Sequence, residues 1–182
     1  LNNPSTPGNE GKVKPYPFAI RGNGDGVYVM NVGLAGAYNG VDFRNCNNHI
    51  IKGLVGGFFN IGIIIANSSG GHIEGILHNT TNTIRHNLRF RFPEFRDWTT
   101  EEQAFTHIID PITRPNLNYI ISDNVQNQII LNAFAYGPRN FLSSTNSQIT
   151  MINIGGDNLF VGGSFLNRQY GHMIVANGGT IT

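Results

Sequence analysis

Three residues of this chain have the types and spacing to act together: Lys52 in "NHIIKGLVG" (48–56), and His72 and Glu74 in "GHIEGILHN" (71–79). If the two segments are neighbouring strands, alternation turns Ile51, Gly53 and Val55 inward and Lys52 and Leu54 outward. On the next strand Ile73, Gly75 and Leu77 face in, and His72, Glu74, Ile76 and His78 face out. Lys52 and Glu74 are then outward neighbours with His72 two residues along. Such a patch offers a general base beside a carboxylate. It is also what an ordinary surface ion pair looks like. His72 and His78 lie six residues apart, about 20 Å along an extended strand, so they cannot share one ion with Glu74, and no metal site is expected.

The elements that position these residues are expected to repeat. The two segments align at an offset of 22, matching Ile51 with Ile73, Gly53 with Gly75 and Val55 with Leu77. One period upstream, "AGAYNGVDFRNC" (35–46) matches "GGFFNIGIIIANS" (56–68) if one residue is inserted. Asparagines follow the same period: Asn39, Asn60 and Asn82; Asn45 and Asn67; Asn124, Asn146 and Asn167; Asn132, Asn153 and Asn177. Coils of about 22 residues give three short strands and three turns. Asparagine suits such turns because it tolerates the left-handed conformation and its amide can bond the amide stacked above it.

With these features the chain resembles the right-handed parallel β-helix proteins of the pectate-lyase superfamily. The resemblance rests on the period, the asparagine series and the aliphatic stacks, spans about residues 25–182, and matches no single family's catalytic signature. It implies an all-β, right-handed parallel β-helix with one loop and short-helix insertion, secreted or at the cell surface, acting on a polysaccharide. As a lyase on uronic-acid polymers, Lys52, His72 or His78 would remove the proton beside the carboxylate while arginine or calcium stabilises the resulting charge. A glycoside hydrolase needs two carboxylates. Glu74 finds no second one in this register, since Asp42 points out from the previous coil on a different strand. The alternative class is a non-catalytic β-helix: a carbohydrate-binding, adhesin or phage-tail module.

Two stretches do not repeat. Residues 1–24, rich in Pro, Gly and Asn, read as an extended arm. Residues 83–115 hold 5 of the 12 basic and 5 of the 11 acidic residues and read as an insertion projecting from the coils, with "TTEEQAF" starting a short helix. Within it Arg85, Arg89 and Arg91 alternate with Leu88, Phe90 and Phe92, a basic row suited to carboxylate or sulfate groups. Trp98, the one tryptophan, can stack on a sugar ring. Candidate substrate-binding residues are thus His78, Arg89, Arg91, Trp98 and Asp42, beside the catalytic candidates Lys52, His72 and Glu74.

Composition narrows the remaining choices. The chain has 23 Gly and 25 Asn in 182 residues and only 13% charged residues, which favours turns and strands over helices. A net charge of +1 gives no concentrated positive field for nucleic acid. The uncharged run "GLVGGFFNIGIIIA" (53–66) is too short and too rich in glycine for a membrane helix. The final "NGGTIT" reads as a strand in mid-coil, so a longer protein is expected, and no resident cofactor is.

Overall fold

A computed structural model describes residues 15–79, 113, 115–157, 160–161, 169–170 and 172–182. The arm up to residue 14 and most of the expected insertion, including Arg89, Arg91 and Trp98, lie outside the described residues.

The described chain is built from strands: β1 (Phe18–Arg21), β2 (Tyr28–Asp42), β3 (Ile50–Ser69), β4 (His72–Asn79), β5 (Asn118–Gln126), β6 (Gln128–Tyr136), β7 (Asn140–Asp157), β8 (Phe160–Val161), β9 (Gln169–Tyr170) and β10 (His172–Ile181). Apart from the antiparallel β8–β9 pair, they form one sheet in the order β1-β2-β3-β4-β6-β7-β10, with β5 joined to both β3 and β7. Every pairing in it is parallel. Strands β3, β4, β6, β7 and β5 thereby close a five-stranded parallel barrel. The all-β class expected from the sequence is what forms. A right-handed β-helix is a finer statement than this closed barrel shows.

Register follows the sequence period. Ile51 pairs with Ile73 and Lys52 with Glu74, as aligned. Upstream, the match of 35–46 to 56–68 is off by one residue at its start: Ala35 pairs with Gly57 and Asn39 with Ile61, both at an offset of 22, and the two register shifts around Ala37, which pairs with Phe58, cancel. The core is made of aliphatic columns. One runs Val29, Ile51, Ile73, Ile130 and Met151, and a longer one runs Ile20, Val41, Ile63, Ile120 and Leu142 and ends on the exposed Ile174. Ile51, Ile63, Ile73 and Ile130 are fully buried, each worth about 1.5–3 kcal/mol relative to an exposed side chain.

Long strands turn corners at left-handed residues. Asn31, Gly53, Gly75, Asn132 and Asn153 have φ between 50° and 65° and stack at one corner. Asn45, Asn67, Asn124 and Asn146, with φ of 45–58°, mark another. Amide ladders reinforce both: Asn153 Nδ2 donates to Asn132 Oδ1 at 2.7 Å, and Asn124 Nδ2 to Asn67 Oδ1 at 3.0 Å. Asn60 likewise donates to Asn39 at 2.9 Å.

The corner at Gly53 corrects the assignment of faces. Alternation carried through a left-handed residue changes phase, so Ile51 and Leu54 both point inward, while Val55, expected inside, is exposed. The same happens at Gly75. Ile76 and His78, expected outside, are buried, and Leu77 is half-buried. Asn177 is a second correction: it pairs with Thr145, away from Asn153, because β10 runs beside the first half of β7.

Candidate functional site

The three catalytic candidates do come together on the outer surface. Lys52 Nζ donates to Glu74 Oε2 at 3.2 Å, and His72 Nε2 lies 3.2 Å from the same oxygen. Lys52 and then His72 hold the Glu74 carboxyl below the usual carboxylate range. It is therefore an anion at neutral pH, whereas a general acid needs its pKa raised. On the paired strands Glu74 has Lys52 on one side and Leu131 on the other. No second carboxylate stands beside it on those strands. Because exposed pairs of this kind contribute little, Lys52→Met is expected to leave the melting temperature unchanged within error. Thermal melts check this.

His78 is enclosed in the core, and Asp42, although it borders a cavity, has its oxygens occupied. The His78 imidazole is fully buried between Phe58 and Tyr119, with ring centroids at 5.7 and 5.2 Å. Burial lowers its pKa to about 3, so it is neutral. Asp42 is 3% exposed, and both its oxygens are already engaged.

Those engagements define a site of which the sequence reading held only Asp42. Arg44 grips Asp42 through Nε to Oδ1 at 2.8 Å and Nη2 to Oδ2 at 2.7 Å, and Arg21 Nε adds a bond to Oδ2 at 3.1 Å. The carboxyl is held below its ordinary value, first by the Arg44 hydrogen bond. One buried carboxylate thus fixes two partly exposed guanidiniums, leaving a net positive charge. Among the described residues, Arg21 keeps both Nη groups and Arg44 its Nη1 unspent on protein acceptors. The Phe18 ring lies 5.9 Å from the Arg44 guanidinium and steadies it further.

These groups line a cavity of about 450 Å³, with Asn23, Asn45, Asn67, Gly22 and Gly24 completing the wall. That volume falls within the range of small-ligand sites, about 300–1,000 Å³. The arrangement follows from register: Arg21 pairs with Asp42 across β1 and β2, and Asn45 and Asn67 project from one left-handed corner. One signal for it was present. The aliphatic-then-charged pair Ile20-Arg21, inside the stretch read as an arm, recurs 21 residues on as Val41-Asp42.

A calcium ion, the option attached to a lyase, finds no fitting donor set here. Asp42 is saturated by two guanidiniums, and no group of three or more His, Cys, Asp and Glu side chains gathers among the described residues. Compared with family models, curated proteins and solved structures, the chain gives no match.

Proposed function

We propose that this protein is a binding module for acidic polysaccharide, wound as a right-handed parallel β-solenoid and working outside the cell. Two observations support the solenoid. Partners on successive strands are 22 residues apart from β3 to β4 and 21 from β6 to β7. The barrel closes because β3 bends, pairing with β4 over residues 50–56 and with β5 over 61–69. The right hand is the one parallel crossovers almost always take.

The observation that carries the binding reading is the Arg21–Asp42–Arg44 cluster facing an open cavity. Guanidinium forks match carboxylates in two-point contacts; Arg21 keeps its two Nη groups for such a contact and Arg44 adds its Nη1, and Asp42 holds both guanidiniums in place before any ligand arrives. Asparagine amides along the wall suit hydroxyl groups, which need donors and acceptors together. A uronate ring joins those two chemistries in one ligand.

Affinity electrophoresis and calorimetry with polygalacturonate and with a neutral glucan test this. Binding of the acidic polymer alone is expected, weakened at least tenfold by Arg21→Gln and by raised salt. Equal retention of both polymers, or of neither, would refute it. The cleaving reading keeps one observation in its favour, the convergence of Lys52, His72 and Glu74. Reducing-end release or ultraviolet absorbance that disappears in Glu74→Gln would establish it instead.

A further inference from the structure

The outward side of the sheet carrying Lys52 and Glu74 is unusually apolar. Two columns cross it, one of Tyr28, Ile50, His72, Ile129 and Thr150, the other of Met30, Lys52, Glu74, Leu131 and Ile152. Of the ten large hydrophobic side chains exposed among the described residues, five stand here: Tyr28, Met30, Ile50, Ile129 and Ile152, each 39–71% exposed. Single exposed apolar residues need no explanation, but a contiguous patch marks an interaction surface. The cluster of Arg21, Asp42 and Arg44 draws on none of these residues.

We propose that this face binds a second copy of the same chain about a two-fold axis parallel to the strands. Its charge pattern is the reason. Such an axis, passing between the rungs of Lys52 and Glu74, reverses rung order while keeping each column opposite itself. Lys52 then meets Glu74 of the partner subunit, Ile50 meets the partner's His72, Met30 meets the partner's Leu131, and Tyr28 meets the partner's Ile129. Lysine and glutamate alternate around a square at the centre, and each charge gains a second opposite neighbour. Apolar pairs flank that square. The axis pairs four of the five rungs and leaves Thr150 and Ile152 beyond the overlap; at about 4.8 Å per strand those four span roughly 14 Å, a small interface of the kind that forms reversible dimers, with a dissociation constant on the order of 10 μM.

Sedimentation equilibrium of the full chain from about 1 to 200 μM, a range spanning that constant, is the test, with circular dichroism and melting temperature confirming each variant's fold. A concentration-dependent dimer is expected, abolished by Lys52→Glu, which sets like charges across the axis, and by Ile129→Lys, which opposes Tyr28. Lys52→Glu combined with Glu74→Lys restores both the internal and the crossing pairs, so dimerisation should return. A monomer at every concentration overturns the proposal, as does a Lys52→Glu dimer or a folded double variant that stays monomeric. Loss of polysaccharide retention in a folded Lys52→Glu variant of a monomeric wild type would show the face to be a glycan surface instead.

Discussion

Lowering the pH from 7 to 4.5 is expected to weaken the fold by about 3 kcal/mol, and His78→Phe is expected to abolish most of that loss. His78 is fully buried, and neither ring nitrogen has a hydrogen-bond partner in the described structure. Desolvation lowers its folded-state pKa to about 3 from a model value of 6.5. Between those values the unfolded chain binds a proton that the folded chain refuses. Stability is therefore complete above about pH 6.5, falls by about 1.4 kcal/mol per unit as the pH drops, and levels off below the folded pKa. Two units of that window give the expected loss.

Phenylalanine removes the titrating group and keeps a ring between Phe58 and Tyr119. At pH 7 the variant should be at least as stable as the parent, because an unpartnered buried polar group is also removed. His49 leaves a residual slope of the same sign: burial lowers its pKa too, against opposing hydrogen bonds to the Cys46 carbonyl and Gln128. Asp42 adds its own acid sensitivity only further down, below its ordinary carboxylate value. Urea titrations at the two pH values measure the effect. An unchanged pH slope in His78→Phe would mean that His78 is not its source.

His78 also shows where reading the sequence stops. The 22-residue offset correctly paired Ile51 with Ile73 and placed Lys52, His72 and Glu74 side by side, because a period in sequence becomes a column in a parallel sheet. Which side each residue faces depended on strict alternation, and that fails wherever the chain turns within a strand. Gly53 and Gly75, at φ of 65° and 61°, exchange in and out for everything after them, so His78 entered the core. The glycines were visible, but their sign of φ was not, since glycine permits either. Arg21 was missed for another reason, and without it nothing marked Asp42 and Arg44 as parts of a cluster. The period continues one step above residue 25, where Pro, Gly and Asn make the segment look like an arm. Asn177 was misaligned because residues between β7 and β10 shift the spacing, so the strands 140–157 and 172–181 pair about 32 apart.

Gly62→Ala is expected to cost about 3 kcal/mol or more, while Gly33→Ala, a glycine of β2, is expected to be nearly neutral. Both positions have ordinary negative-φ backbone, so the contrast isolates space from conformation. A Cβ on Gly33 would meet nothing within 4 Å. On Gly62 it would lie 2.5 Å from the Tyr119 carbonyl oxygen and 2.6 Å from Tyr119 Cδ2. The ring could rotate only into its neighbours, since its centroid is 6.2 Å from Phe58, 5.2 Å from His78 and 5.6 Å from Phe141. The carbonyl cannot withdraw either, because β5 is paired with β3 on one side and β7 on the other. Gly40, one rung earlier, repeats the constraint: its Cβ would press on the Gly62 carbonyl oxygen and come within 2.6 Å of Phe58 Cε1. Two stacked glycines thus make the thin stretch of wall against which Phe58 and Tyr119 pack. Truncating the ring, as in Gly62→Ala with Tyr119→Leu, leaves the backbone clash, so that double variant should not recover the parent's stability. Urea denaturation of the four proteins decides it: equal midpoints for Gly62→Ala and Gly33→Ala would show that the wall yields and that the glycine is not there for space.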